Sequence, residues 1–190
     1  MSLIPAFELG LWNAWFFILP QILLMWIGSR ILHRRKMASL SESLSEFSKA
    51  EKKVLNILTV LIFGSYIYSI FLPMKTSTIW FYIGLSIYTL GIITQIVAWQ
   101  NLDTTSVDNP VTKGLYHFSR NPMYVGDFLI YTGITIACLS WIFLVVLILA
   151  IFLDRLWAIS EERECIKKYG ETYREYMEKI PRWIGSPKSK

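Results

Sequence analysis

Five blocks of apolar residues dictate what this chain can become. Leu9–Gly28 is interrupted only by Asn13, Pro20 and Gln21; Val54–Leu72 and Ile79–Trp99 follow; Met123–Leu139 and Trp141–Ile159 form a close pair divided by Ser140. A helix needs about 20 mostly apolar residues to cross a bilayer, with a tolerated range of roughly 17–25. The predicted fold is therefore all-α: a polytopic membrane protein with five transmembrane helices, the last two forming a tight hairpin. At 54% hydrophobic and 17% charged residues, the 190-residue chain lies outside the usual range of soluble domains.

The net charge of +5 is not a nucleic-acid footprint, because the basic residues flank the apolar runs. Residues 30–53 hold Arg30, Arg34, Arg35, Lys36, Lys49, Lys52 and Lys53 against Glu42, Glu46 and Glu51. No Lys or Arg precedes the first run, the second connection has only Lys75, and the third carries Lys113 and Arg120. The positive-inside rule then puts the N-terminus outside and residues 30–53, 100–122 and the tail in the cytoplasm. An odd number of spans gives the same N-out/C-in arrangement. The first run lacks a basic flank and a small-residue cleavage site, so it is expected to be retained. Cys138 and Cys165 are expected on opposite sides of the membrane as packing residues, and their spacing fits no metal motif.

Two regions follow from this pattern. Residues 1–99 carry the first three helices and the basic loop, with Trp12, Trp15 and Trp26 as belt aromatics and a short amphipathic stretch over 37–50 (Leu40, Leu44, Phe47). Residues 100–190 carry a polar connection turning at Asp108-Asn109-Pro110, the hairpin, and a cytoplasmic helical tail. The fifth helix runs on past the bilayer, since Asp154, Arg155 and Glu161–Lys168 bring charge without a Gly or Pro break. Gly170 is the expected C-cap, and a second short helix over Glu171–Lys179 stops at Pro181.

Chemistry concentrates in Gly114-Leu115-Tyr116-His117-Phe118-Ser119-Arg120-Asn121-Pro122-Met123-Tyr124 and in Glu161-Glu162. Such residues are costly at a membrane boundary, where unpaired polar groups are penalised. Pro122 excludes Asn121 from helical geometry, so the fourth helix should start here with its free N–H groups facing the loop. Helical spacing puts Asp154, Trp157 and Glu161 on one face and Arg155, Ala158 and Glu162 on another. Arg120 is the opposite charge nearest to hand. A zwitterionic ligand could place its carboxylate at the helix N-terminus and its cation at Glu161, with Tyr116, Tyr124 and Trp157 against a flat ring. The bland alternative is a salt bridge, a helix cap and belt aromatics. GxGxxG, GxxxxGK[ST] and HExxH are absent.

The order Gly-x-Tyr-x-x-x-Arg-(His/Asn)-Pro-x-Tyr, helix, Glu-Glu, Gly-x-x-Tyr-x-x-Tyr resembles the integral-membrane methyltransferases. These include isoprenylcysteine carboxyl methyltransferases, to which the likeness is closest, and phospholipid N-methyltransferases. The matching residues are Gly114, Tyr116, Arg120-Asn121-Pro122-Met123-Tyr124, Glu161-Glu162, Gly170, Tyr173, Tyr176 and Pro181-Arg182-Trp183, across roughly residues 95–184. The resemblance implies S-adenosylmethionine as methyl donor, S-adenosylhomocysteine as product, and a cytoplasm-facing pocket capped by the loop and the C-terminal segment. It implies a lining of Gln100, Asn109, Pro110, Val111, Tyr116, Asn121, Pro122, Met123 and Tyr124. Backbone at Leu115, Tyr116 and His117 would hold the methionyl carboxylate, and Glu161 the amine or ribose. Arg120 and Arg155 would face the methyl acceptor. Asn121 stands where His is commoner, and Asp127 is an unexpected acid inside the fourth helix, either paired with Arg155 or reaching to the interface.

The expected activity is methylation of the carboxylate of a lipophilic, prenylcysteine-like acid that enters from the bilayer among membrane lipids. A carboxylate is already ionised and needs only a cation to position it, Arg120 or Arg155. The alternative is an ethanolamine phospholipid, whose amine needs a base, Glu162 or His117. A rival of another class is an NADPH-dependent membrane sterol-type reductase, and a third is a non-enzymatic protein that keeps the fold. The expected location is multi-pass: plasma membrane in a prokaryote, endoplasmic reticulum in a eukaryote.

Overall fold

The computed structural model describes residue 10 and residues 12–34 and 47–187. The amphipathic stretch expected over 37–50 lies mostly outside them. The described chain is all-helical: α1 (Trp15–Arg34), α2 (Lys49–Ser69), α3 (Ile79–Asp103), a 3-10 turn (Gly114–His117), α4 (Pro122–Cys138), α5 (Trp141–Tyr169) and α6 (Glu171–Lys179). Three of these, α1, α3 and α5, are long and apolar enough to cross a membrane. The sequence expectation was five. α4 has only 17 residues, about 25 Å at 1.5 Å per residue, and α2 spends its first turns on Lys49, Glu51, Lys52 and Lys53.

Local chemistry sets the helix ends. Ser48 and Glu51 form a reciprocal capping box at the start of α2 (2.8 and 3.3 Å). Pro122 occupies the first turn of α4, where its missing N–H has no partner to lose. Leu139 adopts a left-handed conformation (φ 49°) after α4, and Ser140 caps α5 through the N–H of Phe143. α5 then runs unbroken to Gly170, whose φ of 60° ends it.

α3 and α4 form the tightest seam. A Cβ on Gly84 would strike the Gly133–Ala137 backbone, one on Gly133 would strike Tyr88, and Gly91 and Gly126 approach in the same way, so the helices meet antiparallel at backbone contact. The main core packs Phe17 and Ile18 of α1, Tyr88 of α3, Ile130 and Ile134 of α4, and Phe143 of α5. The chain before α1 is tied to the α2–α3 turn by Ala14 N–H to Leu72 O (2.8 Å) and Asn13 Nδ2 to Ile70 O (2.7 Å). The 104–121 connection and the C-terminal segment gather at the opposite end. Large apolar side chains remain exposed on α1, α2, α3 and α5, among them Leu23, Val60, Ile67, Tyr82 and Phe152.

Candidate active site

The loop at that end is built around Gly114. Its φ of 59° is left-handed, and the Asn101 side-chain oxygen sits where a Cβ would go. That oxygen accepts from the Leu115 N–H (3.1 Å), which fixes the 3-10 turn and buries Tyr116. Tyr176 of α6 donates to the Tyr116 carbonyl (2.6 Å), and Tyr169 donates to the Val107 carbonyl (3.2 Å). Burial raises the Tyr173 and Tyr176 hydroxyl pKa above the ordinary phenol value.

Residues 181–185 cross this loop as a strap. The Arg120 N–H donates to the Pro181 carbonyl, the Gly185 N–H to the Phe118 carbonyl, and the Ser119 hydroxyl to the Arg182 carbonyl (3.0, 3.1 and 3.3 Å). Glu162, 3% exposed, is the fastening point. It accepts from Asn121 Nδ2 (2.9 Å) and, in bidentate fashion, from the Arg182 guanidinium (2.8–3.2 Å). Donating these bonds to the Glu162 carboxylate raises the Arg182 pKa. Arg120 Nε lies 3.7 Å from Glu162, an ion pair too long for a hydrogen bond. Its Nε and Nη1 are buried with no hydrogen-bond acceptor among the described residues.

Two cavities adjoin here. The smaller, about 60 Å³, lies under the loop and is lined by Pro110, Val111, Tyr116, Arg120, Asn121, Met123, Glu161, Cys165 and tyrosines 169, 173 and 176. The larger, about 450 Å³, extends along α2, α4 and α5. Met123 and Glu161 line both and form the shared wall. Tyr124 donates to Glu161 across the larger cavity (2.7 Å). Deeper in, Asp127 Oδ1 accepts from Gln95 of α3 (2.7 Å) and Gln21 of α1 (3.4 Å). Asp154 makes no hydrogen bond among the described residues, and Asp127 Oδ2 makes none either. Among the described residues, no Lys, Arg or His lines this cavity. An apolar cleft of about 400 Å³, with Phe128, Ile151 and Trp183, meets it at Tyr124 and Asp154.

The structure thus gathers Pro110, Val111, Tyr116, Arg120, Asn121, Met123 and Glu161 around one pocket and adds Tyr124 next door. Pro122 is buried as the helix start, and Leu115 is half-buried in the turn. Gln100 faces a separate groove between α1 and α3. Asn109 and His117 are exposed and line neither cavity. Arg155 is also exposed, and Asp127, expected either to pair with it or to reach the interface, is held by two glutamines instead. Glu162 turns to the strap and away from both cavities. Sequence reasoning missed Gln21, Gln95, Asp154 and the clasp by Arg182; the intramembrane position of the polar residues was the available signal.

The family model of phospholipid methyltransferases matches residues 76–172, just over half of the chain. The chain belongs to that family. The match takes in α3, the loop, α4 and α5, which carry Met123 and Glu161 of the shared wall, and stops short of the strap. No curated protein and no solved structure matches the chain. Phospholipid methyltransferases generally draw their methyl group from S-adenosylmethionine, and the donor set here fits that molecule. Arg120 offers unmet N–H groups to a carboxylate, Glu161 an acceptor to an ammonium or ribose hydroxyl, and Tyr116, Tyr169 and Tyr173 apolar faces to a ring. At about 60 Å³ the loop pocket is smaller than the roughly 300–1,000 Å³ of usual ligand pockets.

Proposed function

We propose that this phospholipid methyltransferase family member uses S-adenosylmethionine to methylate the amine nitrogen of a lipid that enters from the bilayer. The observation that carries this reading is the cavity lined by Asp127, Asp154 and Glu161, with no Lys, Arg or His among its described residues, that meets the loop pocket at Met123 and Glu161. Bound S-adenosylmethionine supplies a sulfonium methyl. Asp127 and Asp154 attract the acceptor's ammonium, and a carboxylate beside it takes the proton that frees the nitrogen lone pair. Met123 and Tyr124 orient the acceptor at the wall, and the apolar surroundings exclude water.

A prenylcysteine-like carboxylate, the acceptor that the resemblance favoured, would meet three carboxyl groups and no described cation in this cavity. The cations meant to position it are elsewhere: Arg120 lines only the loop pocket and pairs with Glu162, and Arg155 is exposed. The cleft under Trp183 offers the acceptor a lateral route. Five crossings with the N-terminus outside belong to the same reading, supported by the exposed apolar residues of α2 and by Arg30, Arg34, Lys52, Lys53 and Lys113 at the loop end. That end would face the cytoplasm, at the plasma membrane of a prokaryote or the endoplasmic reticulum of a eukaryote.

The test supplies methyl-labelled S-adenosylmethionine with either ethanolamine phospholipid vesicles or a prenylcysteine thioether acid. An N-methyl product survives alkali, whereas a methyl ester releases labelled methanol. Alkali-stable label in the lipid is expected; alkali-labile label in the acid alone refutes the amine reading. Calorimetric binding of NADPH in place of S-adenosylhomocysteine would turn the assignment to a reductase.

A further inference from the structure

An open groove of about 990 Å³ lies between the C-terminal halves of α1 and α3. Trp99 lines both this groove and the acid cavity, so one indole divides them. The two helices are spans by length and composition, ending at Arg34 and Asp103. The groove therefore runs from hydrocarbon depth to the headgroup layer. Trp26, Ile27 and Ile96 face it while 55%, 36% and 38% exposed.

Its polar end is basic. Arg30, His33 and Arg34 line it, and all three are exposed. The Arg30 guanidinium rests over the Trp26 ring at 4.3 Å, which holds it at the rim while its N–H edge has no acceptor among the described residues. Among the described residues Asp103 is the only acid in the lining, and it pairs with Arg34 at 2.7 Å. That pairing orients the Arg34 fork and occupies the one described carboxylate of the groove.

We infer that this groove binds an anionic phospholipid that is not the methyl acceptor. Its phosphate sits against Arg30 and Arg34, and its acyl chains run along Ile27, Ile96 and Trp99. Charge separates the two lipid positions among the described residues: acids without a cation in the proposed acceptor cavity, cations with a paired acid here. Basic pockets at the cytoplasmic ends of spans attract anionic headgroups in this way. The apolar walls call for a lipid and not a free phosphate ion.

Native mass spectrometry of the detergent-purified protein, with dioctanoyl phosphatidylglycerol, dioctanoyl phosphatidylcholine or inorganic phosphate, tests this. Wild type should retain one phosphatidylglycerol in preference to phosphatidylcholine, less as salt rises, and phosphate should not displace it. Arg30→Gln with Arg34→Gln should weaken retention by about tenfold or more, while Arg30→Lys keeps most of it. S-adenosylhomocysteine binding by each variant reports an intact fold. Equal retention of the zwitterionic lipid, displacement by phosphate, or salt-insensitive retention in wild type overturns the inference, as does unchanged retention in a folded double variant.

Discussion

Adjacent glutamates on one helix should fail in opposite ways. Glu162 is 3% exposed and accepts from Asn121 and from Nε and Nη2 of Arg182, with Arg120 at 3.7 Å. Glu162→Gln keeps the volume but leaves two guanidinium groups facing a neutral amide. Removing one partner of a buried pair costs roughly 3–5 kcal/mol. The Arg182 side chain is 31% exposed and can rehydrate, so about 3 kcal/mol is the expected loss. At about 2–4 °C per kcal/mol for a chain of this size, melting should fall by about 6–12 °C. Among the described residues Glu161 has a single hydrogen bond, from Tyr124, but it stands in the wall between the cavities. Glu161→Gln should cost only about 1 kcal/mol of stability and should weaken S-adenosylhomocysteine binding by about tenfold or more. Cys138 and Cys165 are both free, so a thiol-reactive dye can follow thermal unfolding; calorimetry gives the affinity. If Glu162→Gln melts within about 2 °C of wild type, the clasp does not hold the strap and the assignment of roles fails.

Asp154→Asn should raise KM for an amine acceptor by about tenfold while leaving S-adenosylhomocysteine affinity unchanged, since Asp154 lines the acceptor cavity and not the loop pocket; an unchanged KM refutes its role. Gly133→Val would drive a side chain into the Tyr88 backbone, at a cost of about 1–3 kcal/mol or more, visible as lower melting and lower yield, whereas the same change at Gly64, which has open space around it, should be mild. Burial raises the pKa of Tyr173 and Tyr176, so the folded chain keeps protons that unfolded tyrosine has lost. Their contribution is whole below about pH 10 and declines as pH climbs through the higher folded values; an alkaline melting series should show that decline, and Tyr173→Phe with Tyr176→Phe should flatten it.

Helix ends were the most legible part of this fold, because their causes are local. Pro122 starts α4, Gly170 ends α5, and α6 spans Glu171–Lys179 as the sequence pattern predicts. The start of α2 differs because the apolar run suggests Val54, while the Ser48–Glu51 box adds five residues ahead of it. α3 continues past Trp99 to Asp103 because no Gly or Pro stops it. Tyr116, Arg120, Asn121, Met123 and Glu161 line one pocket, whereas Gln100, Asn109 and His117 lie away from it. Asp127 was visible as an oddity, but its partners come from α1 and α3, and their rotation about each helix axis is a tertiary property. The substitution of Asn121 for His likewise gains meaning only through Glu162, 41 positions away and 2.9 Å distant.

Both cavities are strung along two helical stripes, which set where the proposed amine methylation would occur. On α4 the stripe runs Tyr131, Asp127, Tyr124, Met123; on α5 it runs Ala150, Asp154, Trp157, Glu161 and on to Cys165. The glycine seam sets α4 against α3 closely enough for Gln95 to reach Asp127, and so fixes the acid's depth. Asp127 is four residues from Met123, about 6 Å along the axis. An acceptor whose ammonium is drawn toward Asp127 therefore has its nitrogen within a turn of the wall, and methyl transfer needs approach to about 3–3.5 Å. Met123 is the only described side chain besides Glu161 that lines both cavities. Met123→Ala should merge them and loosen both ligands, raising KM for acceptor and donor together and lowering kcat. Asp127→Asn should move the acceptor's KM alone. Parallel effects of the two substitutions on donor KM would mean that the cavities do not meet at this wall.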